Sequence, residues 1–445
     1  MGTTVTPLRL TIIGAGYLGL THAVCMADLG HEVLALDVDE QKITRAGAGE
    51  TPFFEPGLEP LLRKNLDAGR LRFTTSFAEA GEFGEVHFLC VGTPQADGGA
   101  ADLSYLNAAA GALAPYLATP CLIVGKSTVP VGTARALLDQ IRTAAPAGTG
   151  VGLAWNPEFL REGYAIQDSL APDRFVFGVT ADAAAGLLRR IYAKPLAAGI
   201  PALVMDLETA ELVKVSANAF LATKISFINV MAEACEAAGA DVVQLAEALG
   251  HDERIGPRFL KPGLGFGGGC LPKDIRAFRA TAADLGVTSL ASLLGTVDTI
   301  NFGRRTRVTT MTREAVGGSL AGKRIAVLGA AFKPESDDVR DSPALNVAGQ
   351  LQLNGAAVNV YDPKALENAQ RLFPTLSYAV SVEEACDRAD AVLVLTEWPE
   401  FVDLDPDLLA DRVRARVVVD GRNCLDVQRW QQAGWRVHCL GRRVA

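Results

Sequence analysis

Residues 8–19, Leu-Arg-Leu-Thr-Ile-Ile-Gly-Ala-Gly-Tyr-Leu-Gly, read as a buried strand (Leu8 to Ile13) running straight into a glycine turn. A helical tract, Leu20 to Leu29, follows, and a second apolar strand, Glu32 to Leu36, ends at Asp37. Gly14, Gly16 and Gly19 stand at i, i+2 and i+5. That spacing between a strand and a helix lets the backbone approach a pyrophosphate seated on the helix N-terminus, with Tyr17 and Leu18 in the same turn. An acidic residue about 20 positions further on binds the adenosine ribose diol. Asp37 would repel a 2′-phosphate, so the expected cofactor is NAD rather than NADP.

Outward from this unit, Val86 to Val91 is an apolar run ending in Gly92-Thr93-Pro94. Cys121 to Gly125 is another, ending in Lys126-Ser127-Thr128-Val129-Pro130. Small hydroxyl residues at strand ends belong to the carboxyl edge of a parallel sheet, where ligands bind. Thr93 and Thr128 read equally well as turn or cap residues. After a short strand, Val151 to Ala154, comes Trp155-Asn156-Pro157-Glu158-Phe159-Leu160-Arg161-Glu162-Gly163. Its two glutamates, four apart, are candidates to position a water or a hydroxyl, although Asn-Pro also opens ordinary turns.

Beyond residue 320 the pattern restarts. Arg324 to Leu328 is followed by Gly329-Ala330-Ala331-Phe332-Lys333, and Asp341-Ser342-Pro343 opens a helix. Further strands are Ala357 to Tyr361, Ala391 to Thr396 and Val417 to Asp420. The turn here has one glycine, so a phosphate would be held by charge, with Lys333, Arg340 and Arg422 the candidates; solvated loop cations are the alternative. Two doubly wound domains predict two ligands, a dinucleotide and a phosphate-bearing substrate.

From Asp206 to Ala238 no glycine or proline occurs in 33 residues, enough for an unbroken helix of about 50 Å. Val213, Val215, Phe220, Leu221, Ile225, Phe227, Ile228, Val230 and Met231 cover most of its circumference, which predicts burial on several sides. The expected partner is a second copy of the chain. Lys214 and Asn218 lie four apart on one face, where an unpaired lysine would be unfavourable. Gly267-Gly268-Gly269 then runs into Cys270 and Leu271-Pro272-Lys273-Asp274. Proline suits a first helical turn, and the tract Ile275 to Leu285 is helical. A cysteine ahead of such a helix meets unpaired N–H groups and the positive dipole end, which favours thiolate. The glycines are expected to open space for a ligand carbon. Asp274 falls one turn beyond Cys270.

The 445 residues suggest two or three domains; 49% are apolar and 21% charged, as in an ordinary globular protein. A net charge of −9 argues against nucleic acid as a partner. Met1 to Leu10 lacks a leader pattern and no uninterrupted apolar run of membrane length occurs, so no membrane partner and a cytoplasmic location are expected. Cys25, Cys90, Cys121, Cys235, Cys270, Cys386, Cys424 and Cys439 form no CxxC pair. His22, His31, His87, His251 and His438 form no HxxxH pair, and most read as solvated or hydrogen-bonded surface residues, so no metal is expected.

The segments GAGYLGL (14–20), VGTP (91–94), STVPVGT (127–133), NPEFLREG (156–163), ELVKVSANAFLATKISFIN (211–229), GFGGGCLPKD (265–274), AFKPESDDVRDSP (331–343) and DGRN (420–423) resemble, in order and nearly end to end, the UDP-glucose/GDP-mannose dehydrogenase family. The resemblance implies an α/β fold of two doubly wound Rossmann-like domains, joined by a long central helix within a helical dimerisation region. The boundaries expected are 1–205 for NAD, 206–305 for the central part with the cysteine loop, and 306–445 for the nucleotide sugar.

It also implies two NAD-dependent oxidations of a sugar C6 alcohol to the carboxylate, with UDP-glucose the first substrate candidate and GDP-mannose the second. Cys270 would be the nucleophile, passing through a thiohemiacetal and a thioester. Lys214, Asn218 and Asp274 would hold a water and stabilise oxyanions, assisted by Thr128 and Glu158. Gly14, Gly16, Tyr17, Leu18, Gly19, Asp37, Lys42, Thr93, Thr128, Glu162, Lys273 and Arg340 would serve NAD. Glu158, Phe159, Leu160, Lys214, Asn218, Phe259, Leu260, Lys261, Gly263, Gly267, Lys333 and Arg422 would hold the sugar nucleotide, with Arg254 reaching it from a neighbouring subunit. Gly269 replaces a serine common in the family. Members acting on N-acetylated sugars carry histidine and valine where Gly269 and Lys273 stand, which disfavours that branch. A different class, an NAD-binding redox-regulatory protein with Cys270 as an oxidisable switch, also remains open.

Overall fold

The computed structural model describes residues 6–443; residues 1–5, half of the stretch read for a leader, lie outside them. The chain falls into two compact units. One holds the chain up to Ala217 together with Ala280–Leu285; the other holds Asn218–Arg279 and everything from Gly286.

The first unit is built on eight strands: β1 (Arg9–Ile13), β2 (Glu32–Leu36), β3 (Leu71–Thr74), β4 (Val86–Leu89), β5 (Cys121–Gly125), β6 (Val151–Trp155), β7 (Phe175–Val179) and β8 (Ala202–Met205). Their order is β3-β2-β1-β4-β5-β6-β7-β8, parallel throughout except for the β6–β7 pair. Reversal of direction across β1 creates the topological switch point at which doubly wound sheets bind ligands. Successive β1 side chains feed opposite cores. Leu10 and Ile12 join Val33, Val86 and Phe88 on one face, while Ile13 joins Leu36, Leu89, Ile123 and Leu153 on the other. Both faces are covered, which is why the central strands are nearly continuous apolar runs.

The second unit carries β9 (Arg324–Leu328), β10 (Ala357–Tyr361), β11 (Ser377–Tyr378), β12 (Ala391–Val394), β13 (Val417–Asp420) and β14 (Arg436–Cys439). Its order, β11-β10-β9-β12-β13-β14, is all parallel and repeats the winding of the first sheet.

The long helix is Leu207–Ala238. Its length and composition would suit a membrane span, and 44% of its most apolar stretch is buried by the chain itself. Buried Glu211, Asn218, Ser226 and Asn229 interrupt it, each hydrogen-bonded within its own unit. Within one chain the burial is partial, with Phe220 67% and Phe227 49% exposed. A second long helix, Thr288–Ala315, was not read from sequence; Gly295, Gly303 and seven threonines dilute its apolar periodicity. The histidine expectation is corrected too. His22, His31 and His87 are buried, His87 bonded to Thr11 Oγ1 at 2.6 Å and His31 to the Ile191 carbonyl at 2.9 Å.

Candidate active site

In the first unit the glycine turn divides its labour. Gly14 adopts φ 95°, and its N–H donates to the Leu36 carbonyl at 2.7 Å. A Cβ on Gly19 would stand 1.7 Å from the Gly14 oxygen, so this glycine permits helix and turn to touch. Gly16, by contrast, has no atom within 4 Å of a would-be Cβ. That open side, at the start of helix Tyr17–Leu29, leaves room for an anion before the first-turn N–H groups. Asp37 closes the end of β2, accepting from Ala15 N at 2.8 Å and Asp39 N at 3.0 Å, with the Lys42 ammonium 3.9 Å away. The donors and the acidic group fit a dinucleotide with a ribose diol.

The corresponding turn in the second unit is closed. Gly329, φ 113°, donates to the Tyr361 carbonyl as Gly14 does to Leu36. There the aspartate at the strand end, Asp362, is buried and accepts from Ala330 N, Ala331 N and Trp398 Nε1. The amides that would cradle a phosphate already have a partner.

At the carboxyl ends of β4 and β5, the Thr93 hydroxyl donates to the Thr128 carbonyl at 2.9 Å, tying two predicted site residues together; neither caps a helix. Glu158 accepts from Phe159 N and Leu160 N at 2.8 and 3.0 Å, and its other oxygen meets buried Lys126 at 3.0 Å. Phe159 lies between two cations, the Arg174 guanidinium 4.1 Å and the Lys214 ammonium 5.4 Å from its ring centroid. Glu55, missed in the sequence, ties the segment after Glu162 to the NAD turn. It accepts from Gly163 N and Ala165 N at 2.7 Å each and from the Tyr17 hydroxyl. Burial, then Glu55 and Glu162, push that hydroxyl far above its ordinary pKa, so Tyr17 stays a donor.

In the second unit Cys270 is an exposed thiol immediately ahead of helix Leu271–Asp284, and the Asp274 N–H donates to its carbonyl at 2.9 Å. Asp274, 2% exposed, accepts from Asn218 Nδ2 at 2.6 Å and pairs with the Lys273 ammonium at 2.8 Å. Residues 218 and 274 are thus joined across 56 positions of chain.

The glycines before the thiol do not open the ligand space that the sequence led one to expect; Gly267 and Gly268 are demanded by protein packing, and Gly269 faces the movable end of a side chain. A Cβ at Gly267 would stand 2.5 Å from the Asp341 carbonyl, at Gly268 2.9 Å from the Phe332 ring, and at Gly269 2.2 Å from Arg340 Cζ. Gly268 N donates to the Arg340 carbonyl at 2.9 Å. Asn301 clamps Phe266 through both backbone groups, Asn229 accepts from Gly263 N, and Arg304 donates to the Gly263 carbonyl. These buried polar residues on two helices fix the loop. No local signal marked them, because each reaches a partner at least 34 residues away.

The predicted phosphate cations are differently placed. The Arg422 guanidinium donates to the carbonyls of Leu395, Gly265 and Phe332 at 2.8–3.1 Å, which makes it a clamp on the cysteine loop. Arg340 is paired with Asp338 at 2.7 Å, and the Lys333 ammonium lies 5.4 Å from the Phe332 ring centroid. Among the sugar-nucleotide candidates, Leu260 and Gly263 are buried, Lys261 is exposed, and Phe259 is held at φ 63°. Arg254 is 88% exposed and paired with Asp252.

A glycine turn built for a dinucleotide marks a nicotinamide-dependent dehydrogenase, and in the second unit an exposed thiol stands at a helix start, one turn in the chain before a buried carboxylate bonded to an amide. The comparisons with known proteins place the chain further. Residues 8–196 match the NAD binding domain of the UDP-glucose/GDP-mannose dehydrogenase family, 208–302 its central domain and 326–427 its UDP binding domain. The chain is 43% identical to a UDP-glucose 6-dehydrogenase of Rhizobium meliloti over 98% of this chain and 100% of that one. It is 40% identical to one of Bacillus subtilis over 98% and 93%. A solved UDP-glucose dehydrogenase from Pyrobaculum islandicum superposes with a TM-score of 0.92 at 38% identity, covering both chains fully. The chain belongs to the UDP-glucose/GDP-mannose dehydrogenase family. It is an NAD-dependent enzyme acting on a nucleotide sugar.

Proposed function

We propose that the protein oxidises UDP-glucose to UDP-glucuronate, taking four electrons in two steps. The observation that carries this reading is Cys270 at its helix start, one turn from the buried Asn218–Asp274 pair. NAD, held at Gly14, Gly16, Tyr17, Leu18, Gly19, Asp37, Lys42, Thr93, Thr128, Glu162, Lys273 and Arg340, supplies the hydride acceptor. Removal of a hydride from C6 and of the proton from its hydroxyl gives an aldehyde. The Cys270 thiolate adds to it, and the resulting oxyanion is met by Lys214 and Asn218, each such donor being worth about 2.7–4 kcal/mol in other enzymes. Loss of a second hydride leaves a thioester. Water, held by Asp274 with Thr128 and Glu158, adds to the acyl carbon and returns the thiol with a carboxylate. Covalent capture keeps the aldehyde from escaping.

Phe259, Leu260, Lys261, Gly263, Gly267, Lys333 and Arg422 hold the sugar nucleotide through the main chain and cations, with Arg254 of a second copy. The working parts are 1–205, 206–305 and 306–445, a division supported by the three matched family regions. A homodimer through the exposed face of helix Leu207–Ala238 and a cytoplasmic location complete the reading.

The test is NADH yield over a panel of UDP- and GDP-sugars. Two NADH per UDP-glucose, with GDP-mannose inert, is expected. Cys270→Ser should lose at least about a thousandfold in kcat. Turnover of GDP-mannose alone would move the substrate, and no turnover of any nucleotide sugar would sink the reading.

A further inference from the structure

Lys126 directly follows β5 and is 4% exposed, where an unpaired ammonium would cost several kcal/mol. Glu158 Oε2 lies 3.0 Å away, Asn156 Oδ1 3.2 Å and the Asn156 carbonyl 3.3 Å. Asn156 is itself fixed, donating to the Val176 carbonyl at 3.0 Å and accepting from the Tyr192 hydroxyl at 2.7 Å. The remaining neighbours of the ammonium carry no competing negative charge. Burial pushes the Cys90 thiol and the Tyr192 hydroxyl up to about 12 each, and burial together with Lys126 holds His22 well below the ordinary histidine range. Asp168 and Arg174, which line the same small cavity, are engaged with Arg161 and the Phe159 ring. Glu158 is therefore the counter-ion. Burial alone would lower the Lys126 pKa; attraction to Glu158 outweighs it, so the cation persists.

A carboxylate offers about four acceptor sites. Phe159 N, Leu160 N and Lys126 take three of those on Glu158, and its side chain is 18% exposed. We infer that Lys126 is the positioning residue of the reaction, locking Glu158 so that one acceptor direction is left to orient the hydrogen of a water or sugar hydroxyl. The carboxylate then orients and does not swing. This rests on the role given to Glu158 above.

Lys126→Met, Glu158→Gln and the double variant separate this from a merely structural ion pair. With Lys126→Met, kcat should fall about 10- to 100-fold, the loss that a small misplacement near the reacting atoms brings. NAD affinity, read by fluorescence titration, should stay within about threefold. In the Glu158→Gln background, removing Lys126 should change kcat by less than about threefold, because the lysine acts through a carboxylate already gone. A Lys126→Met enzyme with wild-type kcat, or losses that multiply in the double variant, would overturn the inference. If Lys126→Met yields no folded protein, Glu158→Gln against the double variant decides alone: equal kcat supports it, and further loss refutes it. Failure of the reading beneath it would show separately, as wild-type protein producing no NADH from UDP-glucose.

Discussion

Gly268 and Gly269 adjoin in sequence but differ in what a side chain would strike. At Gly269 the nearest atoms belong to the guanidinium of Arg340, the end of a flexible and 64% exposed side chain. Gly269→Ser should displace that group into solvent and change unfolding free energy by no more than about 0.5 kcal/mol. Gly268 sits at φ 85° with the Phe332 ring 2.9 Å from a would-be Cβ. Gly268→Ala should destabilise by about 1–3 kcal/mol. Denaturant titration of both variants checks this, and equal effects would refute the packing account of the loop. The sequence marked this loop as the place of the chemistry and misassigned the reason for its glycines, because the atoms that exclude a Cβ lie some 70 residues away in the chain.

Among elements, helix Leu207–Ala238 does more than span. Its Glu211, 1% exposed, accepts from Gly132 N at 2.7 Å and Ala134 N at 2.6 Å, capping helix Thr133–Ala144 from outside. Burial pushes its carboxyl up to about 7, more than the two amides pull it down. The folded state therefore holds a proton that the unfolded chain gives up above its ordinary carboxyl range. Stability from this group falls as pH rises from about 4.5 to about 7 and is level beyond that. Thermal unfolding of wild type and Glu211→Gln across that window should show a slope in the first that is reduced in the second; parallel curves would refute it. The elements most legible in sequence were those with strong period or clear ends, such as β2, β5, β9, β10 and β13, whose bounds match the reading residue for residue. Edge strands were missed: β8 is apolar but only four residues long, β11 has two residues, and β14 alternates with polar positions, so none gives a long apolar run.

For the whole molecule, Phe220 and Phe227 stand two helical turns apart on one face, 67% and 49% exposed. An apolar stripe of that kind is a surface for another chain. With the proposed homodimer, wild type should elute at twice the chain mass, and Phe220→Glu with Phe227→Glu should elute at one mass while still binding NAD. Light scattering on the eluate decides it; an unchanged mass would remove the face from the interface.

Sequence by itself determined the strand–glycine turn–helix with its acidic partner, the second turn without the glycines, the long helix and the cysteine at a helix start. Each is local, since backbone dihedrals, side-chain period and capping act within a few residues. The tertiary structure alone decided that Asn218 serves Asp274, that Lys126 serves Glu158, that Arg422 clamps carbonyls, and that Asp362 closes the second turn. Those pairings form only when the fold brings distant strand ends and helices together, and burial then makes an unpartnered polar group costly, so each is held by the partner that arrives with it.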